Sequence, residues 1–184
     1  MRRFGCILMT LVTVIAVAIP VCPLAYSENQ SHSLKQTDLE LTLQVPKRTY
    51  KSNEQLKFQV MLRNASETDD LYIWGTLGWG YSSSLMFFLR DSAGNDIKPE
   101  LLPDSPPQAP QEDKNYYVKL QPDNFLGTNY FAPLSLMNLS KPGEYSIFVE
   151  YWCPFQSEEV PVRPFWGKER GKIKSNVVTI KVVR

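Results

Sequence analysis

Apolar and polar residues alternate in short segments of this chain after position 38. Four apolar residues alternate with polar ones in 39–45, and the same period of two recurs in 56–63 and 145–151. A period of two places every second side chain on one face of a β-strand. Together with shorter apolar runs, the pattern predicts strands at 39–45, 56–63, 71–74, 85–90, 116–120, 145–151 and 178–182.

The same pattern predicts the fold class. After residue 27, no window of about 11–18 residues keeps the 3.6-residue apolar stripe of an amphipathic helix. Seven or eight short strands with turns between them favour an all-β, antiparallel immunoglobulin-like β-sandwich over 39–184, because each strand must bury one apolar face. Tyr145 follows a Pro142-Gly143 turn, so we expect a tyrosine corner that ties its strand to the preceding loop.

The N-terminal segment has a different character. Residues 1–27 carry arginines at positions 2 and 3, continue with an apolar run over 7–19 and end in Ala-Tyr-Ser. This order is typical of a signal peptide, and the run is short for a membrane span. We therefore predict a secreted or periplasmic protein, with residues 28–38 as a polar, flexible leader.

Two other interpretations of the N-terminal segment remain open. A lipid anchor at Cys22 is disfavoured, because Pro20 and Val21 stand where lipoprotein processing needs small residues. An uncleaved anchor is the third possibility. The first interpretation, cleavage and soluble export, is the one we carry forward.

Cleavage after Ser27 would remove most of the reactive side chains. The remaining 157 residues have a net charge of −1, which gives no reason to expect nucleic acid or a charged membrane surface as partner. Cys153 would be the only cysteine, so no internal disulfide could form. It would be either a buried small apolar residue or a thiol that is reactive or paired between molecules.

The residues that remain after cleavage give little support for a catalytic function. The single histidine, His32, lies in the leader, where it cannot be held beside a nucleophile. Asp91, Asn95 and Asp96 offer oxygen ligands for calcium, but such side chains more often cap the backbone of their own turn. We therefore predict no enzyme, no cofactor and no metal site.

Large aromatic residues next to cations are the best candidates for a binding site. Such residues bury much area at a small entropic cost and are common in interface hot spots. The predicted set is Trp166, Phe165, Arg163, Lys168, Arg170 and Trp79. The alternative is that the rings fold back and cap the ends of the sandwich, while the cations keep the loop soluble.

Three segments carry a resemblance to a known group of proteins. Leu56–Ser66, the Phe-Phe-Leu-Arg-Asp-Ser-Ala-Gly of 87–94 and the Lys-Pro-Gly-Glu of 141–144 resemble, in this order, bacterial secreted immunoglobulin-like domains. That group includes the BsuPI-type proteinase inhibitor domains. The chain departs from it in lacking a tryptophan-containing strand after the Asp-x-x-Gly turn.

Two functions follow from these observations. The leading hypothesis is an exported, non-catalytic binding module that contacts a protein or a cell-envelope component through its loops. The alternative, which the resemblance implies, is a secreted proteinase inhibitor. Its reactive segment would be the proline-rich loop 99–113, because prolines pre-organise an extended segment and lower its ordering cost.

Overall fold

The computed structural model of this protein describes residues 34–79, 84–100 and 114–184. The strands are β1 (Leu39–Gln44), β2 (Thr49–Lys51), β3 (Gln55–Asn64), β4 (Leu71–Trp74), β5 (Leu85–Asp91), β6 (Asp96–Ile97), β7 (Tyr117–Leu120), β8 (Phe125–Pro133), β9 (Gly143–Tyr151), β10 (Ile173–Lys174) and β11 (Val178–Val183). Four 3-10 turns, each of three residues, are the helical elements of these ranges. None of them has the length or apolar character needed to cross a membrane.

The strands form two main sheets in the order of an immunoglobulin-like sandwich. The first sheet is β1-β3-β8, and the second is β2-β11-β9-β5-β6 with β10 beside β9. All pairings are antiparallel except that of β2 with β11. The first sheet corresponds to strands A, B and E of the immunoglobulin fold, and β5, β9 and β11 correspond to C, F and G. The predicted all-β fold class is confirmed.

The core lies between the two sheets and follows the alternation in the sequence. Every second residue of β1 and β3 is buried, from Leu39 to Leu43 and from Leu56 to Leu62. The facing sheet contributes β5, β9 and β11 through side chains such as Phe87, Val149 and Ile180. The residues between them point outward and are more exposed.

The tyrosine corner forms as predicted. The Tyr145 hydroxyl donates a hydrogen bond to the Lys141 carbonyl oxygen at 2.7 Å, which ties the start of β9 to the loop before it. The Pro-Gly turn therefore has a defined role in the fold.

A second, smaller apolar cluster lies beside the main core. Strands β4 and β7 form a two-stranded sheet, and the segment after β9 packs on it. The cluster consists of Trp74, Tyr117, Cys153, Phe155, Val160, Val162 and Phe165, with Tyr72 at its margin. The long connection between β9 and β10 is thus anchored by its own apolar residues.

Besides the short strands β2, β6 and β10, which were not predicted, the observed elements differ from the predicted ones in two places. Strand β8, nine residues long, was not predicted, although it pairs with β3 over the length of both strands. The end of the predicted leader packs against the domain. Leu34 is buried, and residues Gln36–Asp38 form a 3-10 turn. The predicted signal peptide, residues 1–27, and residues 28–33 lie outside the described residues.

Candidate functional site

Two of the predicted binding residues belong to the core. Phe165 is 2% exposed and Trp166 is fully buried. The Tyr72 N–H donates to the Pro164 carbonyl at 2.8 Å, and the Trp166 N–H donates to the Tyr72 carbonyl at 2.9 Å, so this segment runs along β4. The assignment of Phe165 and Trp166 to an exposed contact surface is therefore corrected, and the alternative arrangement, in which the rings fold back, is the one observed.

The predicted cations are exposed to different degrees. Lys168 and Arg163 are exposed, and the Arg163 guanidinium donates to the Val160 and Val162 carbonyls at 2.7 Å each. Arg170 is half-buried and donates to the Leu34 carbonyl. Both guanidinium groups thus stabilise loops of their own chain. A binding role for these cations stays a prediction.

Trp79 lies apart from Phe165 and Trp166. Its ring packs edge-on against Phe87, with centroids 5.0 Å apart, and against Phe58 at 6.3 Å. Of the rings that the structure describes, none links this cluster to Phe165 or Trp166. The two tryptophan-bearing segments therefore do not form one aromatic site.

Cys153 is fully buried within the second cluster. Burial raises the pKa of its thiol to about 12, so the thiolate is scarce at neutral pH. This environment fits the first of the two predicted roles, a small buried apolar residue. A reactive or intermolecularly paired thiol would require an accessible, electropositive site.

The polar groups of the turn after β5 form hydrogen bonds within the turn itself. The Asp91 carboxylate accepts hydrogen bonds from the backbone N–H groups of Ala93 and Asn95 at 2.9 Å and from the Asn95 side chain at 2.9 Å. These bonds lower the pKa of Asp91. Across the described part of the chain, no cluster of three His, Cys, Asp or Glu side chains could hold a metal ion.

The two most exposed large apolar side chains lie elsewhere, on β8. Phe125 is 62% exposed and Phe131 is 61% exposed, which makes them the most exposed large apolar side chains of the described residues. Both project from the outer face of the β1-β3-β8 sheet, about 20 Å apart at the usual rise per residue. The inhibitor loop predicted at 99–113 falls outside the described residues from 101 onward.

A pocket of 270 Å³ opens on this outer face beside Phe131. We call it the Phe131 pocket, and its main lining side chains are Gln44, Pro46, Lys57, Gln59, Asn129 and Phe131. The strand register explains the arrangement. Gln59 pairs with Gln44 on one side and with Asn129 on the other, which places three amide side chains in one row.

The pocket carries one cation. Lys57 Nζ lies 5.5 Å from the centroid of the Phe131 ring, and no carboxylate in the described parts of the chain pairs with it. An adjoining hollow of 590 Å³ shares Pro46 and Lys57. There Lys47 donates to the Glu54 carboxylate at 2.6 Å, and this bond lowers the pKa of Glu54.

This arrangement suits the binding of a ligand with many hydroxyl groups. Each amide side chain of Gln44, Gln59 and Asn129 offers both a donor and an acceptor, which matches hydroxyl groups that also do both. The exposed Phe131 ring offers an apolar face for packing. Among the residues that line the pocket, no two titratable side chains are placed as a general acid and a general base.

Comparisons with known proteins give no family. No family model matches this chain, and no curated protein matches it. Among solved structures, a β-glucosidase from Erythrobacter marinus is 15% identical with a TM-score of 0.38, over 83% of this chain and 16% of that one. The CARDB domain of the PF1109 protein from Pyrococcus furiosus, solved with di-metal ions, is 15% identical with a TM-score of 0.35, over 79% and 88%.

A β-glucosidase from Listeria innocua, solved with laminaribiose, is 14% identical with a TM-score of 0.36, over 79% of this chain and 16% of that one. This chain thus spans about a sixth of the β-glucosidase chains. Likenesses at this level carry no argument about activity or ligands. The chain is an immunoglobulin-like β-sandwich by its own sheet order, and its function is argued from its own surface.

Proposed function

We propose that this protein is an exported, non-catalytic binding module that holds a carbohydrate component of the cell envelope at the Phe131 pocket. The observation that carries the proposal is the exposed Phe131 ring next to a row of three amide side chains. Exposed aromatic side chains on a soluble domain mark interaction sites when they border a concave, polar surface.

The charge of the pocket favours a carbohydrate over a strongly charged partner. Lys57 is the single charged residue among the main lining side chains, and the remaining polar groups are neutral amides. A highly acidic or basic ligand would meet few complementary charges here. An uncharged ligand would match the amides, and a ligand that also carries one acidic group would pair with Lys57 as well.

A glycan array followed by calorimetry tests this proposal. We expect the protein to bind neutral or singly acidic oligosaccharides, and Phe131→Ala and Gln59→Ala each to weaken binding about tenfold, equivalent to about 1.4 kcal/mol. The matched control is Val177→Ala, which truncates an apolar side chain that is 56% exposed outside the pocket.

Two results would overturn the proposal. One is that no oligosaccharide on the array binds the folded protein. The other is that Phe131→Ala and Gln59→Ala bind as tightly as the unaltered chain. Mass spectrometry of the recovered oligosaccharide tests the non-catalytic part, because a binding module must return its ligand uncleaved.

A further inference from the structure

Strand β8 lies at the edge of the first sheet. It pairs with β3 along one side, and no strand of residues 34–79, 84–100 or 114–184 pairs with the other side. Natural proteins usually protect such edges with charged residues, prolines or bulges, because the free N–H and C=O groups attract another strand. The segment 125–132 contains no charge and no proline.

The hydrogen bonds at the two ends of β8 show which backbone groups face outward. The Asn64 N–H donates to Asn124 O at 2.9 Å, and the Leu134 N–H donates to Glu54 O at 3.3 Å. Both pairs fit the β3–β8 register, so even-numbered residues of β8 bond to β3. The N–H and C=O groups of Phe125, Gly127, Asn129 and Phe131 therefore face the free edge.

The side chains of β8 are arranged symmetrically about Thr128. Phe125 and Phe131 lie three residues to either side on the outer face. Leu126 and Tyr130 lie two residues to either side on the inner face, and both are only half-buried. An antiparallel copy of this strand, centred on Thr128, would place Phe125 opposite Phe131 on the outer face and Leu126 opposite Tyr130 on the inner face.

We propose that β8 pairs with β8 of a second copy of this chain, antiparallel and with its two-fold axis at Thr128. Phe125 then faces Phe131 of the other copy, and Gly127 faces Asn129. These are the residues whose backbone groups point outward, so each pair exchanges two hydrogen bonds, about eight in total. Aromatic cross-strand pairs add further stabilisation.

The same register covers the apolar surface left open at this edge. Leu126 faces Tyr130 of the other copy, so pairing removes these half-exposed inner side chains further from water. A shift of the two-fold axis to residue 127 or 130 would place each phenylalanine opposite residues of other types. The symmetric interface therefore has one favoured register.

Dimerisation deepens the proposed function, on which the ligand part of this inference rests. Phe125 of the second copy would stand beside Phe131 and extend the aromatic surface of the Phe131 pocket. Each dimer would carry two such pockets on one continuous six-stranded sheet, and this arrangement suits a repetitive ligand.

Sedimentation or light scattering of the full chain, without any ligand, tests the dimer. We expect a two-chain mass for the unaltered protein and a one-chain mass for Phe125→Glu/Phe131→Glu, because the pairing would bring like charges together. Phe125→Lys/Phe131→Glu should restore the two-chain mass, since opposite charges then face each other in the register centred on Thr128. The two variants differ only in the sign of the charge at position 125.

A one-chain mass for the unaltered protein would overturn the dimer. The free edge of β8 would then pair with a different protein or with another segment of the same chain. Equal masses for the two double variants would overturn the register. Circular dichroism checks that both variants fold, as we expect because positions 125 and 131 are largely exposed. Gln59→Ala should keep the two-chain mass while it weakens ligand binding. The dimer and the carbohydrate site can therefore fail separately.

Discussion

At the scale of single residues, Asn176 joins the two sheets. Its side-chain amide donates to the Leu43 carbonyl at 3.0 Å and accepts from the Leu43 N–H at 2.9 Å. Leu43 belongs to β1, whereas Asn176 precedes β11, so one side chain replaces a missing strand partner at the edge of β1. The sequence contains no local signal for this contact, because 133 positions separate the two residues.

Asn176→Ala should lower the free energy of unfolding by about 1–3 kcal/mol, because it leaves the Leu43 N–H and carbonyl without their partner. Chemical denaturation measures the change. Val177→Ala, at the exposed neighbouring position, should leave the stability within about 0.5 kcal/mol. An Asn176→Ala protein as stable as this control would show that water replaces the two bonds at no cost.

At the scale of elements, β8 was the long strand that the sequence pattern did not reveal. The residues on its outer face include two phenylalanines and a glycine, and those on its inner face include a threonine, so the two faces do not differ in polarity. Alternation predicts a strand only where one face is polar. Pairing with β3 over its full length, a long-range contact, is what holds β8 extended.

Prolines at adjacent positions of β8 should have unequal effects. Thr128→Pro removes an N–H that bonds to β3, whereas Asn129→Pro removes one that faces the free edge. We expect Thr128→Pro to cost about 1–2 kcal/mol more in the free energy of unfolding. Denaturation at low protein concentration, where association contributes little, compares the two variants.

The reverse order of stability would mean that the outward and inward backbone groups of β8 had been assigned the wrong way round. The same pair of variants also bears on the dimer. Asn129→Pro should fold yet form the two-chain species less readily, since one of the proposed intermolecular donors is gone.

At the scale of the whole molecule, packing of apolar faces rather than charge chemistry stabilises the fold. Cys153 is unpaired, and each ion pair of the described residues has at least one exposed partner, as in Arg63 with Glu40 at 2.7 Å. Exposed pairs contribute little to stability. A few carboxylates nevertheless have hydrogen bonds that the unfolded chain lacks, notably Asp91 and Glu54.

Stability should fall in acid. The pKa of Asp91 is lowered by hydrogen bonds from Asn95, and that of Glu54 by its bond from Lys47. A carboxylate with a lowered pKa in the folded state stabilises the protein above its ordinary pKa, and this contribution is lost as the pH falls through the lowered value. We expect urea midpoints to be steady above about pH 5 and to decrease below about pH 4.

Asp91→Asn supplies the comparison for this pH profile. The variant should be less stable than the unaltered protein at pH 7 and should lose less stability between pH 5 and pH 2, because one titrating group is gone. A midpoint that rises on acidification would contradict the sign of the effect.

The sequence by itself determined the all-β class, seven of the strands and the tyrosine corner. These features depend on alternation and on turn residues, which act over a few neighbouring positions. It also indicated that aromatic residues would be central to any binding surface. It did not show which rings would be exposed, because a tryptophan in a loop can turn inward as readily as outward.

Only the tertiary structure decided where the proposed binding surface would lie. Folding buried Phe165 and Trp166 against β4, and it placed Gln44, Gln59 and Asn129, which belong to three different strands, in one row. The physical reason is that strand pairing depends on contacts between distant parts of the chain, whereas the alternation of apolar and polar residues is local. The same pattern of strand pairing leaves β8 at the edge of its sheet, with its phenylalanines facing outward.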